Sequence, residues 1–243
     1  MEFPYKGVVF DWAWTLLDLG AEEDESAFFK MMEFLRAHGF YEKNPETAYR
    51  NSKKLFREQI QVSRESMLEA HYECVLNYIA LERGWELPAE VKVEALKTYY
   101  QEIFSQRRVY PQAGPTLQGL KKCGVKIGLV SNTTNPGYIK NLEREYFGLA
   151  PYFDFAIYSS DVPFRKPHPS IFNLAQKRMG CLPEKILFVG DSYEADIVGA
   201  HRAGMATAWI NREKNEQPAG PTPDYQLAEL DELLTIKAMM VGG

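Results

Sequence analysis

Polar residues able to do chemistry stand behind short apolar runs in this chain. Asp11 and Thr15 follow residues 7–10, Ser131 and Asn132 follow 125–130, Lys166 follows 153–158, and Asp191 and Asp196 follow 186–189. Carboxylates, hydroxyls, an amide and an ammonium in one place can hold a cation and an anion side by side. If Asp11 and Asp191 are buried together they repel each other, and a cation is the simplest remedy. Taken singly the residues read otherwise: Thr15 and Ser131 could cap following helices, and Asp196 could be a surface charge in a first helical turn.

Whether these residues meet depends on the elements that carry them. The apolar runs at 7–10, 125–130, 153–158, 186–189 and 206–210 suit buried parallel strands, and the segments 115–122, 136–147, 169–179 and 194–203 have helical spacing. Strand alternating with helix predicts an α/β fold, a doubly wound parallel sheet, whose ligands bind at the carboxyl ends of the strands. Residues 21–104 break that rhythm with amphipathic stretches at 25–35, 65–81 and 89–103 and no convincing strand. We read a helical cap over 19–105 inserted into a core built from 1–18 and 106–243, with turn residues at 110–114 closing the insertion. Residues 211–223 have turn composition, and 224–227 and 230–239 predict a final strand and helix.

Composition narrows the classes. The 243 residues are 45% hydrophobic and carry 28 basic against 33 acidic side chains, a formal charge of -5, with no basic block to meet a nucleic acid. Cys74, Cys123 and Cys181 lie far apart, without metal-ligand or redox spacing, which fits a reduced cytoplasmic setting. The first residues have no secretory pattern. No apolar run approaches the roughly twenty residues that cross a bilayer. Monomer and homodimer are both open.

The ordered segments DWAWT, LVSN, RKPHPSIF and FVGDSYEAD resemble the four motifs of the haloacid dehalogenase superfamily. The resemblance implies a Rossmann-like core with Asp11 as covalent nucleophile and Lys166 neutralising both nucleophile and phosphoryl group. It also implies hydrogen bonds to phosphate from Thr15, Ser131 and Asn132, and Mg2+ held by Asp11, the Ala13 carbonyl, Asp191 and Asp196. The implied reaction is hydrolysis of a small phosphorylated molecule through an aspartyl-phosphate.

One position departs from that pattern. Phosphatases of the superfamily carry a second aspartate where Ala13 stands, as general acid and base. Phosphonoacetaldehyde hydrolases are similar to this chain in their Asp-Trp-Ala first motif, and in them a cap lysine forms a Schiff base, a role that Lys53 or Lys54 could fill. Against that alternative, Trp14 replaces their usual glycine and Asp196 follows Asp191 by five residues. The 2-haloacid dehalogenase branch also lacks the second aspartate, but its fourth motif is less acidic than Gly190-Asp191-Ser192. A silent descendant that only binds a phospholigand or protein is the remaining alternative. His71, and behind it His38, His168 and His201, are candidate replacement acids. Tyr72 and Arg165 are candidate substrate contacts, and Trp14 either packs at the cap hinge or walls the site.

Overall fold

Strand β1 (Gly7–Phe10) is buried along its whole length, as its unbroken apolar sequence requires. The chain leaves it through β2 (Leu17–Asp18) into four helices, α1 (Asp24–Ala37), α2 (Pro45–Ser66), α3 (Glu73–Glu82) and α4 (Ala89–Gln106), and returns through β3 (Arg108–Val109). Helix and strand then alternate: α5 (Ala113–Lys122), β4 (Lys126–Ser131), α6 (Gly137–Tyr146), β5 (Phe155–Tyr158), α7 (Pro169–Met179) and β6 (Ile186–Gly190). A π-helical turn (Tyr193–Val198) runs into α8 (Gly199–Arg202), followed by β7 (Ala206–Ile210) and β8 (Tyr225–Leu227). This computed structural model describes residues 3–21 and 23–236.

Six strands form one sheet in the order β5-β4-β1-β6-β7-β8, every neighbouring pair parallel. The expected doubly wound α/β sheet is therefore present. Its alternating side chains enter two cores. Val8, Phe10, Ile127, Leu129, Leu187 and Val189 pack against α5 and the 3-10 turn Leu230–Thr235, whereas Val9, Val130, Ile186 and Phe188 pack against α7. The chain steps from β1 to β4 and β5 on one side and then to β6 on the other. β1 is thus the switch strand, and ligands bind beyond the carboxyl end of such a strand.

The inserted helices have a core of their own. Phe28, Met31 and Leu35 of α1 recur at helical spacing and pack on Leu96, Tyr99, Tyr100 and Ile103 of α4. Helix α2 buries only Ala48, Ser52 and Ser63. That polar sequence explains why periodicity did not pick it out. The expected helix over 65–81 is broken: Met67 takes a left-handed φ of 58°, and the chain descends onto the core, where Arg165 N donates to Met67 O at 2.9 Å and Tyr72 N to Thr134 O at 3.2 Å. The expected helix over 194–203 begins instead as the wider π turn. The expected final helix over 230–239 is a 3-10 turn, Leu230–Thr235, and its last three residues lie outside the described ones. The antiparallel pair β2–β3, which joins the two ends of the insertion, is too short to carry a periodic signal. Among the described residues no helix is long and apolar enough to cross a membrane.

A buried ion cluster fastens the return of the insertion to the core. Glu143 of α6 accepts hydrogen bonds from Lys140, one turn earlier, and from Arg107, at the end of α4, and is fully buried. Burial alone would raise the Glu143 carboxyl, but Lys140 and Arg107 outweigh it and hold the group below its usual range. Removing the shared carboxylate takes away the ion-pair partner of the buried Lys140 ammonium. We expect Glu143→Ala to lose about 3–5 kcal/mol of stability in urea unfolding; a loss below about 1 kcal/mol would mean that the cluster does not hold this junction.

Candidate active site

The first functional position is set by the sheet ladder. Phe10 pairs with Leu129 on one side and Val189 on the other. Asp11 N continues the ladder by donating to Val189 O at 2.8 Å. The Asp11 side chain therefore leaves the sheet at its carboxyl edge, between β4 and β6.

Lys166 reaches the same point from the loop after β5. Its Nζ donates to Asp11 Oδ1 at 2.6 Å and to Val130 O at 2.8 Å, and lies 2.7 Å from Asp196 Oδ1. The contact with Asp196 is an ion pair without hydrogen-bond alignment. Burial would lower the lysine, but Asp11 and Asp196 outweigh it and keep the ammonium charged. The Lys166 loop is fixed by Asn132, whose carboxamide accepts from Lys166 N at 2.8 Å and donates to Lys166 O at 2.9 Å.

Asp196 enters from the π turn after β6. It is almost fully buried, and its Oδ2 accepts from Ser192 N at 3.0 Å. A Cβ on Gly190 would come within 2.2 Å of Asp196 Oδ2, so glycine at the end of β6 is what lets this carboxyl approach the backbone. Asp191 accepts from Thr15 Oγ1 at 3.1 Å through Oδ1, and its carbonyl from Trp209 Nε1 at 2.8 Å. Asp11, Asp191 and Asp196 each present an oxygen within 4.8 Å of the others. Three carboxyls, two of them buried, face one ammonium at the wall of the cavity. Burial, then Asp11 and Asp196, push the Asp191 carboxyl up to about 8; burial first, with Asp11 adding to it against Lys166, pushes Asp196 up to about 6. Such a donor set of oxygens with surplus negative charge fits a hard divalent cation.

Ala13, Thr15, Ser131 and Asn132 join this group. Ala13, Ser131 and Asn132 line a cavity of about 530 Å³ with the three aspartates and Lys166. Thr15 stands in a tight turn ahead of β2, and Ser131 lies six residues ahead of α6, so neither caps a helix. Asp196 is equally no surface charge. Trp14 also borders the cavity, in a left-handed conformation with φ 60° that costs a non-glycine residue about 1–2 kcal/mol.

Other sequence candidates lie elsewhere or are otherwise engaged. Lys53 donates to Asp24 Oδ1 and Tyr49 OH, both at 2.8 Å, and these bonds raise its pKa, which opposes the neutral amine a Schiff base needs. Lys54 is exposed. Tyr72 faces a second chamber of about 340 Å³ that shares Arg107, Thr134 and Asn135 with the first. Arg165 lines the main cavity and donates to Ser63 Oγ at 2.9 Å. No histidine is among the described residues lining the main cavity. The cavity wall also contains Glu69, Arg107, Asn135 and Lys140, which sequence reasoning missed. In the segment GYIKNLERE, Lys140 looks like a solvated helix residue, and only the fold puts it behind Asp11.

Comparison with known proteins places the chain in company. Residues 5–204 match the family model for haloacid dehalogenase-like hydrolases. A glyceraldehyde 3-phosphate phosphatase of Methanopyrus kandleri is 31% identical over 192 residues, covering 76% of this chain and 80% of that protein. A phosphoglycolate phosphatase of Salmonella typhimurium is 35% identical over 156 residues, 61% of each chain. The fold is similar to a crystal structure of an HAD phosphatase from Thermococcus onnurineus, with TM-score 0.64 and 27% identity over 95% of this chain and 96% of that one. It is equally similar to a 2-haloacid dehalogenase from Pseudomonas syringae, with TM-score 0.67 and 25% identity over 95% and 98%.

The carboxyl cluster has a measurable signature. With Asp191 raised to about 8 and Asp196 to about 6 from an ordinary 3.8, the folded chain keeps protons that the unfolded chain has released. The stability they contribute is present at low pH and is lost as pH rises through those folded values. In chelator, the thermal midpoint is expected to fall from pH 5 to pH 8, and Asp191→Asn to flatten that fall. A divalent cation is expected to restore stability more at pH 8 than at pH 5. A midpoint that rises over this interval in chelator would contradict the cluster as described.

Proposed function

Because the chain belongs to the haloacid dehalogenase-like hydrolases, we propose that it hydrolyses phosphate esters of small metabolites through an aspartyl-phosphate on Asp11. The observation that carries this proposal is the trio Asp11, Asp191 and Asp196 around Lys166. Displacement of halide from a haloacid needs one carboxylate and a substrate that is itself anionic, which two further carboxylates would repel. A cation-bearing carboxylate cluster instead suits the spread charge of a transferring phosphoryl group. The relatives named for glyceraldehyde 3-phosphate and phosphoglycolate support a small phosphorylated substrate.

In this proposal residues 19–105 act as a cap over the core, closing the cavity against water. Asp11, the Ala13 carbonyl, Asp191 and Asp196 would hold Mg2+, which would draw negative charge from the phosphoryl oxygens. Lys166 neutralises one oxygen of Asp11 and the phosphoryl group beside it. Asn132 holds Lys166 in place through its backbone, Ser131 offers a hydroxyl to phosphate oxygens, and Thr15, whose hydroxyl donates to Asp191 and which does not line the cavity, positions that carboxyl instead of binding phosphate. A carboxylate oxygen of Asp11 forms a bond to phosphorus as the bond from phosphorus to the ester oxygen breaks. The ester oxygen leaves with the electron pair and takes its proton from water, because Ala13 has none to give. A second water then attacks phosphorus, releasing inorganic phosphate and the free Asp11 carboxylate.

Phosphate release from a panel of phosphate esters, with Mg2+ and with chelator, tests this. Wild type is expected to turn over in Mg2+ and Asp11→Asn to lose at least about a thousandfold, as nucleophile removal does elsewhere. Equal rates in the two proteins would remove Asp11 from the chemistry. Ala13→Asp is expected to speed alkyl ester cleavage about a hundredfold by supplying the missing acid; no gain would show that a proton at this position is not limiting.

A further inference from the structure

We propose that Trp14 is a substrate platform, and that the substrates are phosphate esters whose leaving group is flat and apolar, with aryl phosphates as the type. This rests on the phosphatase reading above and deepens it.

Three features of Trp14 converge. Its backbone is left-handed, a conformation suited to glycine, and strain of this kind persists only where surrounding structure enforces it. The enforcing contacts are visible: Trp14 N donates to Leu17 O at 2.7 Å, and Arg212 donates to Trp14 O and, at 3.0 Å, to Thr15 O. Arg212 is itself stacked on Tyr110, its guanidinium carbon 3.7 Å from the ring centre. Finally, the strain secures no core packing. Trp12, two residues earlier, is wholly buried, while Trp14 is 43% exposed at the edge of the cavity.

The neighbours of Trp14 define what it receives. Ala13, Leu19 and Ile60 border the cavity with it, whereas Thr133, Asn135 and Lys140 belong to its polar wall. An indole that lines one cavity with aliphatic side chains offers a surface for a planar apolar group, by stacking and by exclusion of water. The chemistry agrees with the shape. Ala13 carries no proton for the departing oxygen, and an aryl oxygen, with a conjugate-acid pKa near 10 like that of tyrosine, needs far less help to leave than an alkoxide does. As Asp11 bonds to phosphorus, the aryl oxygen departs as phenolate with the electron pair of the broken bond and is protonated by water afterwards.

The test compares 2-naphthyl phosphate with glycerol phosphate in wild type, Trp14→Ala, Trp14→Gly and Trp14→Phe. Wild type is expected to prefer the naphthyl ester. Trp14→Ala and Trp14→Gly are expected to reduce the ratio of the two kcat/KM values about tenfold, most of it through the KM of the naphthyl ester. Trp14→Phe is expected to restore most of the ratio. Trp14→Gly is also expected to unfold at no lower temperature than wild type, since it relieves the left-handed strain, and this separates lost recognition from lost folding. A ratio unchanged in Trp14→Ala and Trp14→Gly overturns the platform while leaving the phosphatase reading intact. Wild type inert toward both esters overturns the phosphatase reading itself.

Discussion

Like charges crowded at one strand edge govern this molecule. Asp11, Asp191 and Asp196 bring oxygens within 4.8 Å of one another, and only Lys166 among the described residues answers them at ion-pair distance. In a low dielectric such repulsion is severe, so each carboxyl must be held against it by the backbone that bears it. Asp11 is held by the β1 ladder, Asp196 by Ser192 N and the wide π turn, and Asp191 by Thr15 and Trp209. The arrangement stores an electrostatic demand for positive charge at one point. Under the proposed function a phosphoryl group with its cation would meet that demand, and a simple carboxylate ligand would not.

The sheet topology turns that demand into a site. Placing β1 between β4 and β6 lets three separate loops deliver Asp11, the Ser131–Asn132 pair and the Asp191–Asp196 pair to the same edge. The helices of the insertion then cover the edge. Their descent at residues 67–72 and the buried cluster of Arg107, Lys140 and Glu143 fix the cover at two ends of the cavity. Trp14 stands on the turn that joins Asp11 to the insertion.

Much of this was legible in the sequence, because strand ends advertise themselves. A polar residue directly after VVF, LV or LFVG interrupts an apolar run, and these three interruptions named Asp11, Ser131 and Asp191 with their neighbours; Lys166, eight residues beyond the run 153–158, was legible through the order of the motifs. The helical insertion showed as a long stretch without strands. What stayed hidden depends on distance in the chain or on weak pattern. Helix α2 is too polar to display a buried stripe, and β2 and β3 have two residues each. Lys140 and Glu143 look like a solvated ion pair at i and i+3, and only the fold, which brings Arg107 from 36 residues away onto Glu143, makes them a buried cluster. The left-handed backbone of Trp14 was equally invisible, since tryptophan carries no signal for it; its bulk three residues after Asp11 was the hint.

The most direct measurement of the central claim is chemical. Wild-type protein mixed with a 32P-labelled ester and Mg2+, quenched in acid within one turnover and digested, should yield a labelled peptide that contains Asp11 and loses its label to hydroxylamine, as an acyl phosphate does. Label on another peptide, or steady release of phosphate from an enzyme that never becomes labelled, would contradict Asp11 as the nucleophile.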